Sequence, residues 1–166
     1  MLNRKIIVPV FILLLIFLAG AYFEFQKEQN IGNTGNIPNI EGGNVFSRVL
    51  IGETSVNVSV AKTFAEQTLG LSGRSELSDN EGMLFVFDKP NFHRIWMKEM
   101  KFSIDILWID ENLKIVDVKT DANPESFPEI FEPRKKSSFV LELPSGFFKK
   151  HSLKIGDKLS FVAVDP

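Results

Sequence analysis

Four residues of this chain combine the charge and aromatic character from which a recognition or catalytic site is built: Arg74, Trp96, Lys98 and Asp105. Asp105 stands in the run Ile104–Ile109, which strand alternation divides into two apolar faces. Ile104, Ile106 and Trp108 share one face, and Asp105 shares the other with Leu107 and Ile109. Such a carboxylate is at least partly buried, and it then needs a partner or a shifted pKa. Lys98 and Arg74 are the candidate partners. In a structural role Asp105 forms an ion pair or accepts backbone donors at a strand end. In a functional role it lines a polar pocket in which Asp105 and Lys98 meet a ligand. An envelope enzyme of hydrolase type would use Asp105 as base, with Lys98 or Arg74 stabilising an oxyanion.

Trp96 and Lys98 alternate with Ile95 and Met97. Ile95 and Met97 are the natural core pair, which turns Trp96, Lys98 and Arg94 to the opposite face. A cation beside an indole contributes about 0.5–2 kcal/mol, enough to explain the pair by packing alone. A large indole is seldom left wholly exposed, so a groove is expected beside it. His93 and His151 are the only histidines, and there is no cysteine. No spacing resembles a zinc or iron site, so His93 reads as a surface or partly buried histidine rather than a ligand partnered by Glu99 or Asp105. Ser145-Gly146 lacks the nucleophile-elbow pattern, and phosphate-binding glycine loops are absent. No metal or cofactor is implied. A net charge of −2 gives no electrostatic footprint for nucleic acid. The short basic cluster Arg134-Lys135-Lys136 reads as a solvated loop, and Phe147-Phe148 beside Lys149-Lys150 as a point that could touch a membrane surface.

The elements that must position these residues are short. Val45–Ile51 and Ser55–Ala61 read as a hairpin around Gly52-Glu53-Thr54. Thr63 with Glu66 three residues later is a capping box, and Gly70 can end the short helix it opens. Met83–Phe87, Ile95–Met97 and Ile104–Ile109 read as consecutive strands, and Asp110-Glu111-Asn112 turns the last of them into Leu113–Lys119. Asp121–Lys136, with three prolines, is a long irregular connection. Ser138–Leu143 is a strand, Phe147–His151 one helical turn, and Lys158–Val164 the last strand. The expected fold is mostly β, an α+β domain with one or two short helices. Its sheet is antiparallel and partly closed into a barrel.

The N-terminal part has a different character. Arg4 and Lys5 precede an uncharged apolar run over 6–23. At about 1.5 Å per residue it reaches roughly 27 Å, close to a hydrocarbon core of about 30 Å. The basic flank places the N-terminus in the cytoplasm and the rest outside. A signal peptide cleaved at Ala19-Gly20-Ala21 is the alternative; the continuation of the run and the aromatic cluster of Tyr22, Phe23 and Phe25 favour an uncleaved anchor. Residues 24–44, rich in Asn, Gly and Gln, read as a flexible linker, and 45–166 as the exported domain.

Several co-linear motifs carry a resemblance. Gly70-Leu71, Arg74, Gly82-Met83-Leu84-Phe85-Val86-Phe87, Trp96-Met97-Lys98 and Ile104-Asp105-Ile106 come first, followed by Val140-Leu141-Glu142-Leu143, Gly146 and Gly156-Asp157. In this order they resemble the DUF192 family, also called UPF0127, of uncharacterised and mostly exported proteins. The resemblance covers about Val58 to Val164. It implies the fold and export and supplies no reaction. The chain departs from the pattern at Glu99-Met100, where the family commonly has Asn-Thr.

The sequence thus predicts a membrane-tethered extracytoplasmic domain that binds a small molecule or an envelope protein through Arg74, Trp96, Lys98 and Asp105. An enzyme and a purely structural envelope module are the rival readings. Protease added to spheroplasts should cut within 24–44 and release a fragment of about 120 residues. Finding that domain in the cytoplasm would overturn the topology, whereas a soluble mature protein starting at Ala21 or Tyr22 would overturn only the anchor.

Overall fold

A computed structural model describes residues 47–162. The predicted anchor at 6–23, the linker at 24–44 and the first residues of the domain expected from Val45 lie outside that range. Seven strands form the main sheet: β1 (Ser47–Ile51), β2 (Thr54–Ala61), β3 (Glu81–Asn91), β5 (Ile104–Ile109), β6 (Ile115–Ala122), β8 (Ser137–Pro144) and β9 (Leu159–Val162). Their order is β6-β5-β8-β3-β2-β1-β9. Two short strands, β4 (Ile95–Trp96) and β7 (Ile130–Phe131), make a separate ribbon. The α-helices among the described residues are α1 (Phe64–Leu69) and the single turn α2 (Phe147–Lys150).

The expectation of a wholly antiparallel sheet needs correction, because β2 and β3 run parallel. Residues 62–80, which include α1, form a crossover long enough to carry the chain back to the same end of the sheet. The strand Ile95–Met97 also leaves the main sheet, and β8 takes the place between β3 and β5. The sheet curls into a half-barrel. Its two outermost strands meet at one end, where the Leu159 N–H donates to the Leu113 carbonyl at 2.7 Å and the Ile115 N–H to that of Asp157 at 2.9 Å.

Both faces of the central strands are buried. The inner face, with Val56, Val58, Leu84, Leu107, Ile109, Leu141 and Leu143, fills the half-barrel. The outer face, with Met83, Phe85, Ile104, Ile106, Trp108 and Val140, lies under the connections, which contribute Leu71, Ile95, Met97 and Phe131. The predicted division of β5 into two apolar faces is therefore observed. Gly82 allows β3 and β8 a close approach: a Cβ there would stand 2.8 Å from the Glu142 carbonyl oxygen. The irregular connection before β8 is pinned by Asp117, which takes the Arg134 backbone N–H and guanidinium, the latter at 2.6 Å. Arg134 thus holds an ion pair at the surface rather than standing free in a solvated loop. That ion pair holds the Asp117 carboxyl below its ordinary range.

Asp105 is fully buried on the inner face. Neither Lys98 nor Arg74 is its partner. It accepts three backbone N–H groups instead, from Asp121 at 2.9 Å, Gly146 at 3.1 Å and Phe148 at 2.9 Å. Gly146 has φ 83, a left-handed conformation natural to glycine, and so directs its N–H to the carboxylate ahead of α2. One side chain therefore ties the end of β6 and the start of α2 to β5. Asp105→Ala should strand three buried donors and cost about 3 kcal/mol or more in a denaturant titration, with Asp105→Asn intermediate. A change below about 1 kcal/mol would contradict this role.

Candidate functional site

The site is built where the outer cover of the sheet is incomplete. Helix α1 forms one side. The Thr63 hydroxyl accepts from the Glu66 N–H at 3.3 Å, the Glu66 carboxylate accepts from the Thr63 N–H at 2.8 Å, and Gly70 closes the helix with φ 51. Its anchor to the sheet is polar: the Gln67 amide donates to the Val86 carbonyl at 2.8 Å. No residue of α1 is buried, and Phe64 and Leu69 are 85% and 64% exposed. Large apolar side chains of a structured helix that cover nothing are informative, since ordinary packing would have buried them.

The other side is β4 and the turn after it. Ile95 and Met97 point into the outer core, as their alternation predicts, and Trp96 and Lys98 point away. Trp96 is half exposed and makes an edge contact with Phe127 at 6.1 Å between ring centres. The Lys98 ammonium lies 6.0 Å from the indole centre and 3.9 Å from the Glu99 carboxylate. The expected groove is present. A cleft of about 400 Å³ is lined by Phe64, Leu69, Trp96 and Lys98, with Ser72 and Glu99 at its edge. A deeper pocket of about 70 Å³ shares Leu69, Trp96 and Lys98 and adds Phe85, Arg94 and Glu142.

Glu142 joins the site as a charged residue that the sequence reading does not single out. It is only 5% exposed, on the outer face of β8, flanked in register by Met83 of β3 and Ile106 of β5. Among the described residues no side chain or backbone group hydrogen-bonds to its carboxyl, and burial alone pushes its pKa up to about 8. The signal was in the sequence, as one acidic residue inside the apolar run Phe139–Leu143.

The predicted set of four therefore divides. Trp96 and Lys98 stand together at the cleft. Arg74 is exposed nearby, its guanidinium 3.4 Å from the Ser59 hydroxyl, and does not line either cavity. Its loop is held by the Ser72 hydroxyl donating to the Lys98 carbonyl at 3.0 Å. Asp105 faces the opposite side of the sheet from Glu142. His93 stacks on Phe87 at 3.5 Å and approaches the Lys89 carbonyl at 3.2 Å, and burial lowers its pKa. His151 meets the Thr54 hydroxyl at 3.0 Å, and Phe147 beside it is buried rather than turned to a membrane surface.

Comparison with known proteins follows the same residues. The family model DUF192, described as "Uncharacterized ACR", matches residues 48–161. A UPF0127 protein of Thermococcus gammatolerans is 29% identical over 107 residues, covering 63% of this chain and 66% of that protein. One of Thermococcus kodakarensis is 28% identical over 112 residues, covering 65% and 66%. The chain thus spans just under two thirds of the length of either relative. The crystal structure of a protein of unknown function from Novosphingobium aromaticivorans superposes with a TM-score of 0.67 at 25% identity, covering 75% of this chain and 90% of that one.

The Glu142 environment predicts a pH dependence. The folded state holds this proton up to about pH 8, while the unfolded chain releases it near 4.5. Between those values the folded state binds more protons, so stability falls as pH rises. At about 1.4 kcal/mol per pH unit the loss amounts to several kcal/mol. Urea titrations of Glu142→Gln and wild type should agree in stability near pH 4 and diverge towards pH 8, with the variant the more stable (both values approximate). Parallel curves would contradict the burial argument.

Proposed function

This chain belongs to the DUF192 (UPF0127) family of uncharacterised proteins, and from that premise we propose that it is a membrane-tethered, extracytoplasmic binding module. Its ligand occupies the cleft between α1 and β4. The observation that carries this reading is the pair of apolar walls, Phe64 and Leu69 on one side and Trp96 on the other, which line one cleft and stay largely exposed. A concave, largely apolar space with a few charged groups at its edge is the usual form of a small-molecule site. The tether follows from the basic flank and apolar run at 4–23. The hydrolase reading loses its base, because backbone donors surround Asp105 away from the cleft.

A second reading is docking of an envelope protein. It draws on Phe127 and Ile130, which are 44% and 50% exposed and extend the apolar surface beyond Trp96. A small ligand fits the enclosed part better, and a protein partner would have to cover both.

Ligand-observed NMR with a mixture of small aromatic and aliphatic compounds should reveal binders that lose contact in Trp96→Ala and Phe64→Ala. Binders should also change Trp96 emission, which quenchers in solution reach, while leaving that of the buried Trp108 unaltered. Binders indifferent to both substitutions would place the site elsewhere and overturn this reading.

A further inference from the structure

We infer that the ligand is a small molecule with an apolar body and a carboxylate end, and that the carboxylate enters the inner pocket between Arg94, Lys98 and Glu142. This rests on the binding reading of the cleft and names the chemistry of what it binds. The shape supplies the first argument. The wide part of the cleft is bounded by Phe64, Leu69 and Trp96, suited to an aromatic or aliphatic body. The inner pocket of about 70 Å³ has room for a small polar group and little more. Leu69, Trp96 and Lys98 line both, so the two spaces adjoin, and the inferred ligand spans them.

The second argument is the unfilled hydrogen-bonding capacity of the floor. Glu142 is the acidic residue lining the inner pocket, and Arg94 and Lys98 are the cations lining it. Its neighbours across the strands are Met83 and Ile106, so the sheet supplies neither a donor nor a counter-charge. Glu66 of α1 is engaged with the helix cap, and Glu99 faces the outer cleft beside Lys98. No salt bridge joins Arg94 or Lys98 to Glu142 among the described residues. A carboxyl desolvated without a partner stays protonated, and its O–H is then a donor that nothing in the fold uses. Two cations and one O–H donor around a small space make a site for an anion that accepts hydrogen bonds. An ammonium ligand would be repelled by both cations, and only an ionised Glu142 would supply the opposite charge.

Phenylacetate, its methyl ester and phenethylamine serve as probes of the full-length protein in detergent, read by Trp96 fluorescence and by NMR. Phenylacetate should bind at least about tenfold more tightly than the ester, and Arg94→Gln or Lys98→Gln should weaken it about tenfold. Its affinity should be flat below neutrality and fall about tenfold per pH unit once Glu142 ionises, above about pH 8. Glu142→Gln, which keeps a donor and cannot ionise, should bind within about threefold of wild type at pH 7 and lose the alkaline fall. Preference for phenethylamine, with affinity rising with pH and abolished by Glu142→Gln, would overturn the inference. Equal binding of acid and ester would do the same while leaving the cleft a binding site. If none of the probes nor any other small compound perturbs Trp96, the binding reading itself fails, and the inference with it.

Discussion

A carboxylate enclosed in an apolar sheet must be given hydrogen-bond donors or remain protonated, and this constraint shapes the molecule around β5 and β8. Asp105 and Glu142 stand on these adjacent strands, on opposite faces, and both are buried. Asp105 receives three backbone N–H groups from segments distant in sequence, so it draws the end of β6 and the start of α2 onto the half-barrel. Glu142 receives none, and burial keeps it protonated. The first arrangement closes the fold. The second leaves chemistry unfinished at the bottom of an opening.

That opening follows from how the outer face is covered. The inner face of a curled sheet closes on itself, but the outer face relies on connections for cover. Leu71, Ile95, Met97 and Phe131 supply it over β3 and β5. Helix α1 covers the outer face only in part, because none of its six residues is buried and a capping box and one glutamine hold it. The gap between α1 and β4 therefore exposes Trp96 and lets the pocket descend to Glu142. A cavity beside a desolvated acid lowers stability, and sites of that kind are where function and stability are traded against each other.

Local signals in the sequence fared well. Thr63 and Glu66 do form the capping box, Ile95 and Met97 are buried while Trp96 and Lys98 are not, and Asp105 has apolar neighbours on both faces of its strand. Such features depend on a residue and its neighbours within a few positions. The parallel β2–β3 pair depends on where residues 62–80 cross the sheet, which no periodicity records. The partners assigned to Asp105 failed for a related reason: lysine and arginine are visible as charges in a sequence, whereas convergent backbone N–H groups are not. Glu142 stood in plain view within Phe139–Leu143, but its lack of a partner is a property of the cover above β8.

The turn after Met97, where the chain departs from the family pattern, lies at the rim of the cleft. Glu99 has φ 58, a left-handed conformation that asparagine tolerates better than glutamate. The Asn that is common in the family at this place therefore suits the backbone, and Glu99 occupies it at some conformational cost. In exchange the chain gains a carboxylate 3.9 Å from the Lys98 ammonium and, in Met100, an apolar group lining the inner pocket. Glu99 acts on the entrance, where it shares the Lys98 charge, and Met100 adds apolar surface to the inner lining. Glu142 sits on a central strand whose neighbours in register are fixed by the sheet, and nothing at position 99 alters its desolvation. The departure from the family pattern at Glu99-Met100 thus changes the charge and the apolar lining beside Lys98 and leaves the register that buries Glu142 untouched.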